Sequence, residues 1–199
     1  MPAGAETATA AAAVAADATY SRIARRIIPV LILLFVMAWM DRVNVGFERL
    51  QMLQDLGFSE AVFGFGAGIF YLGYLLFEIP SNLLLERIGA RKTLARIALL
   101  WGFTSMAMML VKSVAVFYLL RFLLGVFEAG LYPGVILYLT YWFPSEYRAR
   151  IIGLFTVAIP LSSFLGSPIS AALLAADGWL TLRGWQWTVS YTHLTLPTN

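Results

Sequence analysis

Long apolar runs separated by short polar stretches dominate the pattern of this chain. A helix needs about 20 predominantly apolar residues to cross a bilayer. Five runs approach or exceed that length, so membrane-spanning helices are predicted at about 27–47, 61–85, 93–111, 114–142 and 151–175. A sixth apolar segment is predicted to begin near Gly184. The pattern therefore predicts a bundle of membrane-spanning helices.

The two ends of the chain differ from this pattern. Residues 1–21 are mostly Ala, Thr and acidic residues, and we predict that they form a disordered cytoplasmic tail. No Lys or Arg precedes the alanine run, so the basic start of a secretory signal is missing. The predicted bundle covers residues 22–187. Residues 188–199 are polar and too short to span a bilayer, and we expect a truncated or foreign end there.

Composition supports a membrane protein. Hydrophobic residues make up 60% of the chain and charged residues 13%, whereas soluble domains are about 45–50% apolar and about 25% charged. The net charge of +3 is too small to indicate a nucleic-acid partner. There is no cysteine and only one histidine, His193. We therefore expect neither a disulfide, nor a metal site, nor a cofactor.

The distribution of Lys and Arg predicts the orientation. Basic residues concentrate in the loops that precede the first span, follow the second and follow the fourth: Arg22, Arg25, Arg26, Arg87, Arg91, Lys92, Arg148 and Arg150. Short loops rich in Lys and Arg remain in the cytoplasm. We therefore predict a multi-pass protein of the cell membrane, inner or plasma, with its N-terminus in the cytoplasm.

Four ionisable residues lie inside predicted spans: Asp41, Arg42, Arg121 and Glu128. An ionisable side chain at the bilayer centre costs at least about 2.5–3.5 kcal/mol, so their presence indicates a function. Arg121 and Glu128 are about two turns apart on one helix face, with a rise of about 10 Å, so each needs a partner elsewhere. Counting the rise from the span ends places Asp41 level with Arg121, with Glu128 nearer the cytoplasm.

Four segments resemble the major facilitator superfamily, and within it the anion:cation symporter family of organic-anion/proton carriers. They are DRVNVG from Asp41, EIPSNLLLERIGARK from Glu78, RFLLGVFEAGLYPGVILYLTYWFP from Arg121 and RARIIG from Arg148. The resemblance implies an all-α membrane protein with twelve spans in two six-helix halves. This chain would hold the N-terminal half, truncated in the sixth span, and the full-length protein would be a monomer.

The loop between the second and third spans keeps only part of the superfamily signature, which is roughly G-x-L-x-D-R-x-G-R-R/K. Three residues match it: Arg87, Gly89 and Arg91. Glu86 stands where the signature has Asp. The resemblance implies that these four residues form a gating loop for alternating access.

The resemblance also implies that Asp41 and Glu128 carry the coupled protons and that Arg42 contacts the carboxylate of the substrate. A low-dielectric environment favours the neutral form of a carboxylic acid, and an adjacent arginine favours the charged form. An anion that occupies the arginine would therefore allow the acid to take up a proton. We expect Asp41 to face Arg121, and Arg42 to face the cavity.

Three further assignments remain open at this point. Arg121 either takes part in proton coupling or only neutralises Asp41. Tyr74 either offers a hydroxyl to a polyhydroxy acid or is an aromatic packing residue. Asn44, one turn from Asp41, is a weaker candidate for substrate binding.

The predicted function is proton-coupled symport of a small organic anion, such as a sugar acid or a small carboxylate, across the lipid bilayer. One alternative is an exporter of drugs or other amphipathic molecules, which buried arginines do not favour. Another is a membrane sensor that does not transport. No nucleophile–base arrangement or nucleotide-binding loop is present, so no enzyme is predicted.

Overall fold

The computed structural model describes the backbone of residues 3–194 and the side chains of residues 17–180 and 182–190. Helices account for nearly all of the described backbone. In chain order they are α1 (Ala3–Leu56), α2 (Glu60–Ile88), α3 (Ala90–Met108), α4 (Val114–Glu128), α5 (Leu131–Trp142), α6 (Ser145–Thr156), α7 (Ala158–Ala175) and α8 (Gly184–Leu194). A short 3₁₀ turn at Trp179–Thr181 precedes α8. No strand occurs between residues 3 and 194, so the described part of the chain is all-α as predicted.

Four segments are long and apolar enough to cross a bilayer: Asp17–Leu56, Glu60–Ile88, Val114–Trp142 and Ser145–Ala175. Helix α3, in the place of the predicted third span, is not among them. It has 19 residues and carries Arg91, Lys92 and Arg96 near its start. The inner side of its second half is polar, because Thr104 and Ser105 are buried against the bundle.

Helix α1 begins well before the predicted first span. The sequence analysis places a disordered tail at residues 1–21, whereas helix α1 extends back to Ala3. Alanine has the highest helix propensity of all residues, and the run of alanines before Asp17 continues the helix without a break. At the other end of the chain, α8 begins at Gly184 and continues to Leu194, and residues 195–199 lie outside the described residues.

Two predicted spans are each divided into two helices. In the fourth span, α4 ends at Glu128 and α5 begins at Leu131, with Gly130 between them at a φ of 84°. Glycine adopts this left-handed conformation without the steric cost that a Cβ atom brings. The fifth predicted span is divided at Val157, between α6 and α7. The first division matters for function, because it places Glu128 at the end of a helix.

The bundle is apolar outside, and several polar and charged side chains are buried in its largely apolar interior. On α2, large apolar side chains are exposed at Phe65, Leu72, Leu75, Ile79 and Leu83. Charged and polar side chains are buried instead, including those of Asn44, Glu48, Arg121, Glu128 and Thr188. This arrangement suits a bilayer, because lipid tails solvate apolar side chains and leave polar groups to pair within the protein.

Helices α2 and α4 approach each other closely at two glycines. A Cβ atom placed on Gly125 would collide with the backbone oxygen of Phe70, and one placed on Gly73 would lie 2.5 Å from the backbone oxygen of Phe122. Small residues at such positions allow the backbones of membrane helices to come into contact. The close approach fixes α2 against the helix that carries Arg121 and Glu128.

Candidate functional site

One face of helix α1 carries polar side chains into the bundle. Asn44 follows Asp41 by three positions, and Glu48 follows Asn44 by four. The three side chains therefore project from one side of the helix. Asn44 and Glu48 are buried, while Asp41 and the adjacent Arg42 are half-buried. Because ionisable groups at this depth need partners, the residues that meet this face define the candidate site.

Arg42 forms a direct ion pair with Glu128, the last residue of α4. The Nη2 atom of Arg42 lies 2.9 Å from Oε1 of Glu128. The Glu128 side chain is 1% exposed and the Arg42 side chain is 22% exposed. The second carboxylate oxygen of Glu128 has no hydrogen-bond partner among the described residues. Arg42 is therefore the accessible member of the pair, and Glu128 lies behind it.

Aromatic rings surround the Arg42 guanidinium. Its Cζ atom lies 5.0 Å from the ring centroid of Tyr74, 5.5 Å from that of Trp39 and 5.6 Å from that of Phe70. Such cation–π contacts each contribute about 0.5–2 kcal/mol. Tyr74 and Phe70 belong to the part of α2 that packs on Gly125, so the α2–α4 crossing holds two of the rings in place.

Asp41 is bound by helix α3 and forms no direct ion pair with Arg121. Its two carboxylate oxygens accept hydrogen bonds from Nε1 of Trp101 at 3.2 Å and from Oγ of Ser105 at 3.0 Å. The direct pairing of Asp41 with Arg121 that the sequence analysis expected is therefore not formed, and Arg42, which was expected to face the cavity, is partly exposed and pairs with Glu128.

Arg121 lies deep in the bundle, within the electrostatic influence of two carboxylates. It is 6% exposed, and its Cζ atom lies 5.4 Å from the ring centroid of Phe117. Glu48 exerts the stronger electrostatic effect on Arg121 and Asp41 the weaker one.

Glu48 is the residue that the sequence analysis missed. It is 2% exposed, and Thr188 of α8 provides a hydroxyl group beside its carboxylate. The predicted first span ended at Phe47, which placed Glu48 in a polar loop. A usable signal existed: Glu48 follows Asp41 by seven positions, the same spacing that separates Arg121 from Glu128.

Asn44 makes a contact between helices. Its Oδ1 atom accepts a hydrogen bond from Oγ of Ser170 on α7, and the residue is 1% exposed. Its Nδ2 atom has no hydrogen-bond partner among the described residues. Asn44 thus joins α1 to α7 next to the site, and it does not lie on the surface beside Arg42.

The predicted gating loop lies at the junction of α2 and α3. Glu86 and Arg87 are in the last turn of α2, Gly89 is the single residue between the helices, and Arg91 is in the first turn of α3. All four are exposed. Within the described part of the chain none of the three charged side chains forms an ion pair, so the loop is free to contact another part of a larger protein.

The geometry combines an anion-binding group with a buried acid. Arg42 presents a guanidinium, which binds carboxylates through paired hydrogen bonds, and its own partner is a carboxylate that can accept a proton. Among the described residues, no group of three or more His, Cys, Asp or Glu side chains could hold a metal ion. The site is therefore suited to binding an anion and a proton at neighbouring positions.

Comparisons with known proteins agree with a transport role. A family model described as Major Facilitator Superfamily matches residues 10–191. A protein of Agrobacterium vitis named "Putative tartrate transporter" is 55% identical over 83% of this chain and 37% of its own length. A protein of Acinetobacter baumannii named "Quinolone resistance transporter" is 48% identical over 81% of this chain and 37% of its own length. The chain thus spans somewhat more than a third of the length of these curated relatives.

The helices also match a solved structure. A crystal structure of a bacterial homologue of the human lysosomal transporter Spinster, inward-facing and occupied, superposes with a TM-score of 0.72 at 20% identity. The match covers 85% of this chain and 41% of that one. At this identity the similarity concerns the fold alone. The family match and the relatives place the chain in a family of membrane transporters. The chain belongs to the Major Facilitator Superfamily, and it covers the N-terminal half of that fold.

Proposed function

We propose that the full-length carrier containing this chain imports a small organic anion, a sugar acid or a small carboxylate, together with protons by alternating access. The proposal rests on the Arg42–Glu128 ion pair, in which the arginine side chain is partly exposed to solvent and the glutamate side chain is buried. The carrier would work as a monomer in the cell membrane, with its N-terminus in the cytoplasm.

Arg42 is the proposed binding group for the anion. A guanidinium is planar and offers several N–H groups in a fork that fits both oxygens of a carboxylate. Part of the Arg42 side chain is exposed, and its buried Nε atom has no hydrogen-bond partner among the described residues. The described residues therefore leave the hydrogen-bonding capacity of Arg42 incompletely used.

Glu128 is the proposed site of the coupled proton. While Arg42 and Glu128 are paired, their charges cancel. An anion that takes Arg42 leaves a carboxylate that is 1% exposed without its positive partner. A buried unpaired charge costs several kcal/mol, and a proton on Glu128 removes that cost. Anion binding and proton binding would thereby favour each other.

Other predicted residues would act around this pair. Tyr74 lies against the guanidinium and would direct its hydroxyl toward a hydroxyl of the substrate. Asn44 would act through its buried amide, which holds α1 against α7. Asp41 and Arg121 would complete the proton-coupling set. Glu86, Arg87, Gly89 and Arg91 would gate the cytoplasmic side through contacts with the other half of the carrier.

The Agrobacterium vitis relative supports an organic anion as the substrate. Its printed name refers to tartrate, a hydroxylated dicarboxylate whose chemistry matches an arginine and a tyrosine hydroxyl side by side. Tartrate is therefore the first compound to test.

Export of a drug is the second candidate function. The Acinetobacter baumannii relative named for quinolone resistance favours it. A drug exporter would move its substrate outward and would not need an anion to displace Glu128 from Arg42. The direction of transport and the requirement for a carboxylate distinguish the two functions.

Uptake into proteoliposomes tests the proposal. The full-length carrier is reconstituted, and the entry of labelled tartrate is followed with an inward proton gradient, with no gradient, and with the gradient collapsed by a protonophore. We expect accumulation only with the intact gradient. Equal uptake under all three conditions, or proton-driven export of a quinolone without tartrate uptake, would refute the proposed symport.

A further inference from the structure

Three arginines lie on the surface of α1 near the start of its apolar segment, and the proposed exchange at Arg42 does not use them. Arg22, Arg25 and Arg26 are exposed and border a cavity of about 450 Å³. None of the three forms an ion pair with another described residue. Asp17 is the only acidic residue between positions 17 and 40. This part of α1 therefore carries three positive charges against one negative charge.

An apolar groove begins about one turn beyond these arginines. It has a volume of about 590 Å³ and lies between α1, which contributes residues from Pro29 to Met40, and α7, which contributes residues from Leu161 to Ile169. Every residue that lines the groove is apolar. Leu33 of α1 and Leu165 of α7 are both exposed, so the groove opens to the surface of the described bundle.

The arginines and the groove belong to one face of α1. Arg22, Arg25, Pro29, Val36 and Met40 follow one another at intervals of three, four, seven and four positions. Such intervals place side chains on the same side of a helix. The helix rises about 16 Å from Pro29 to Met40, which is half of a hydrocarbon core about 30 Å thick. The face therefore combines a cationic end with an apolar groove as long as one leaflet of a bilayer.

We propose that this face of α1 binds one anionic phospholipid, with the lipid phosphate on the arginines and an acyl chain in the groove. Guanidinium groups bind phosphate oxygens through paired, charge-assisted hydrogen bonds. An acyl chain needs no polar partner, and the lining of the groove offers none. In the proposed orientation the lipid belongs to the cytoplasmic leaflet. The site is distinct from the Arg42–Glu128 pair and does not depend on the proposed symport.

The combination of charge and groove selects this occupant over three others. A zwitterionic lipid, or an apolar helix from another part of a longer carrier, would fill the groove and leave the arginines without a counter-charge. Free phosphate would balance the arginines and leave the groove empty. An anionic phospholipid satisfies both parts of the face, and the other occupants give different results in a crosslinking experiment.

Crosslinking with a photoreactive phosphatidylglycerol tests the inference without any transport substrate. The full-length carrier is placed in phosphatidylcholine nanodiscs that contain a small fraction of phosphatidylglycerol with a diazirine in one acyl chain, and labelled peptides are identified by mass spectrometry. We expect labels within residues 29–40 and 161–169. Phosphatidylcholine with the same diazirine chain should label them at least about fivefold less, since one basic residue at a membrane surface strengthens the binding of anionic lipid by about that factor.

A matched pair of variants tests the headgroup contact. The double variant Arg22→Gln and Arg25→Gln should lower labelling by phosphatidylglycerol at least about fivefold. The control is the double variant Lys92→Gln and Arg150→Gln, which removes two other exposed basic residues on the same predicted side of the membrane and should leave the labelling unchanged.

A second pair tests the groove. Leu33→Trp places a large side chain in the groove and should abolish labelling of α7. Val30→Trp is the control, because Val30 is 62% exposed and does not line the groove. If the double arginine variant fails to fold, this pair and the comparison of the two lipids decide the outcome.

Three results would overturn the inference. The first is equal labelling by the two lipids, or unchanged labelling in the folded double arginine variant. The second is a groove without label, which would show that another part of the carrier covers it. The third is loss of labelling on addition of inorganic phosphate but not of chloride at the same ionic strength, which would show a site for a free anion. None of these results bears on the uptake of tartrate, so the lipid site and the symport can fail separately.

Discussion

Arg42 and Glu128 occupy unequal positions although they form one ion pair. The arginine reaches open space between aromatic rings, and the glutamate is enclosed by the bundle. In the proposed mechanism, an anion that arrives at Arg42 would change the charge balance of Glu128 without touching it. This separation of the two partners would allow two neighbouring residues to couple two different solutes.

Glu128→Gln should separate substrate exchange from proton coupling. Glutamine keeps the size of the side chain but cannot release a proton, so Arg42 remains available to the anion. We expect net uptake driven by a proton gradient to fall at least about tenfold, which corresponds to about 1.4 kcal/mol, while tartrate exchange between equally loaded compartments persists. Undiminished accumulation against a gradient would remove Glu128 from the coupling site.

Arg42→Lys should weaken anion binding while preserving the charge. Lysine lacks the planar fork, so one of two charge-assisted hydrogen bonds is lost, and such bonds contribute about 1.5–3 kcal/mol each. We expect the KM for tartrate to rise about 10- to 100-fold. Arg49→Lys is the control, because Arg49 pairs with Glu60 on the surface. The same KM in Arg42→Lys as in wild type would contradict the assignment.

At the scale of single residues, the sequence identified most of the charged residues of the candidate site but not the residues with which they pair. Asp41, Arg42, Arg121 and Glu128 stand out because each interrupts an apolar run. Their pairing depends on how α1 packs against α3 and α4. Such contacts between distant segments cannot be predicted from the local pattern of the sequence. Glu48 was missed because a charged residue at the end of an apolar run is indistinguishable from the start of a loop.

Among the elements, the crossing of α2 and α4 determines the geometry of the site. It brings Tyr74 to Arg42 and depends on backbone contact at Gly125 and Gly73. The second span contains several glycines, and the sequence does not show which of them lie at the contact. Gly73 lies there, whereas a Cβ atom on Gly68 would meet nothing within 4 Å.

Gly125→Ala should destabilise the bundle, and Gly68→Ala should not. The added methyl group at Gly125 would collide with the backbone of Phe70 and would lie 2.9 Å from the backbone nitrogen of Tyr74. Overpacking of this kind costs about 1–3 kcal/mol. We expect a lower unfolding temperature in detergent for Gly125→Ala and no decrease for Gly68→Ala. Equal unfolding temperatures would show that the helices are not in contact there.

For the whole molecule, the family and the fold were predictable, and both are confirmed. The apolar runs were sufficient to predict membrane-spanning helices, and four sequence segments were sufficient to predict the family. Both features can be read from short stretches of the sequence. The division of the fourth span at Gly130 was not predicted. A single glycine inside a long apolar run is common in membrane helices, so its conformation depends on the tertiary structure.

The orientation in the membrane can be tested at the two ends of α3. Lys92 lies in the first turn of α3 and Lys112 follows its last turn, and both are exposed. The chain has no cysteine, so Lys92→Cys and Lys112→Cys can each be labelled selectively in a full-length carrier otherwise free of cysteine. We expect a membrane-impermeant maleimide to label position 112 on intact cells and position 92 only after permeabilisation. The opposite result, or equal labelling, would contradict the predicted orientation or the crossing by α3.

The interruption of the fourth span between Glu128 and Leu131 has a mechanical consequence. On either side of it the backbone ladder is complete, with Ala129 bonded to Gly125 and Gly134 bonded to Gly130. Pro133, in the first turn of α5, has no N–H group to bond across the joint. Bending at this point would therefore break few hydrogen bonds, so the joint is where α5 would change its angle to the helix that carries Glu128.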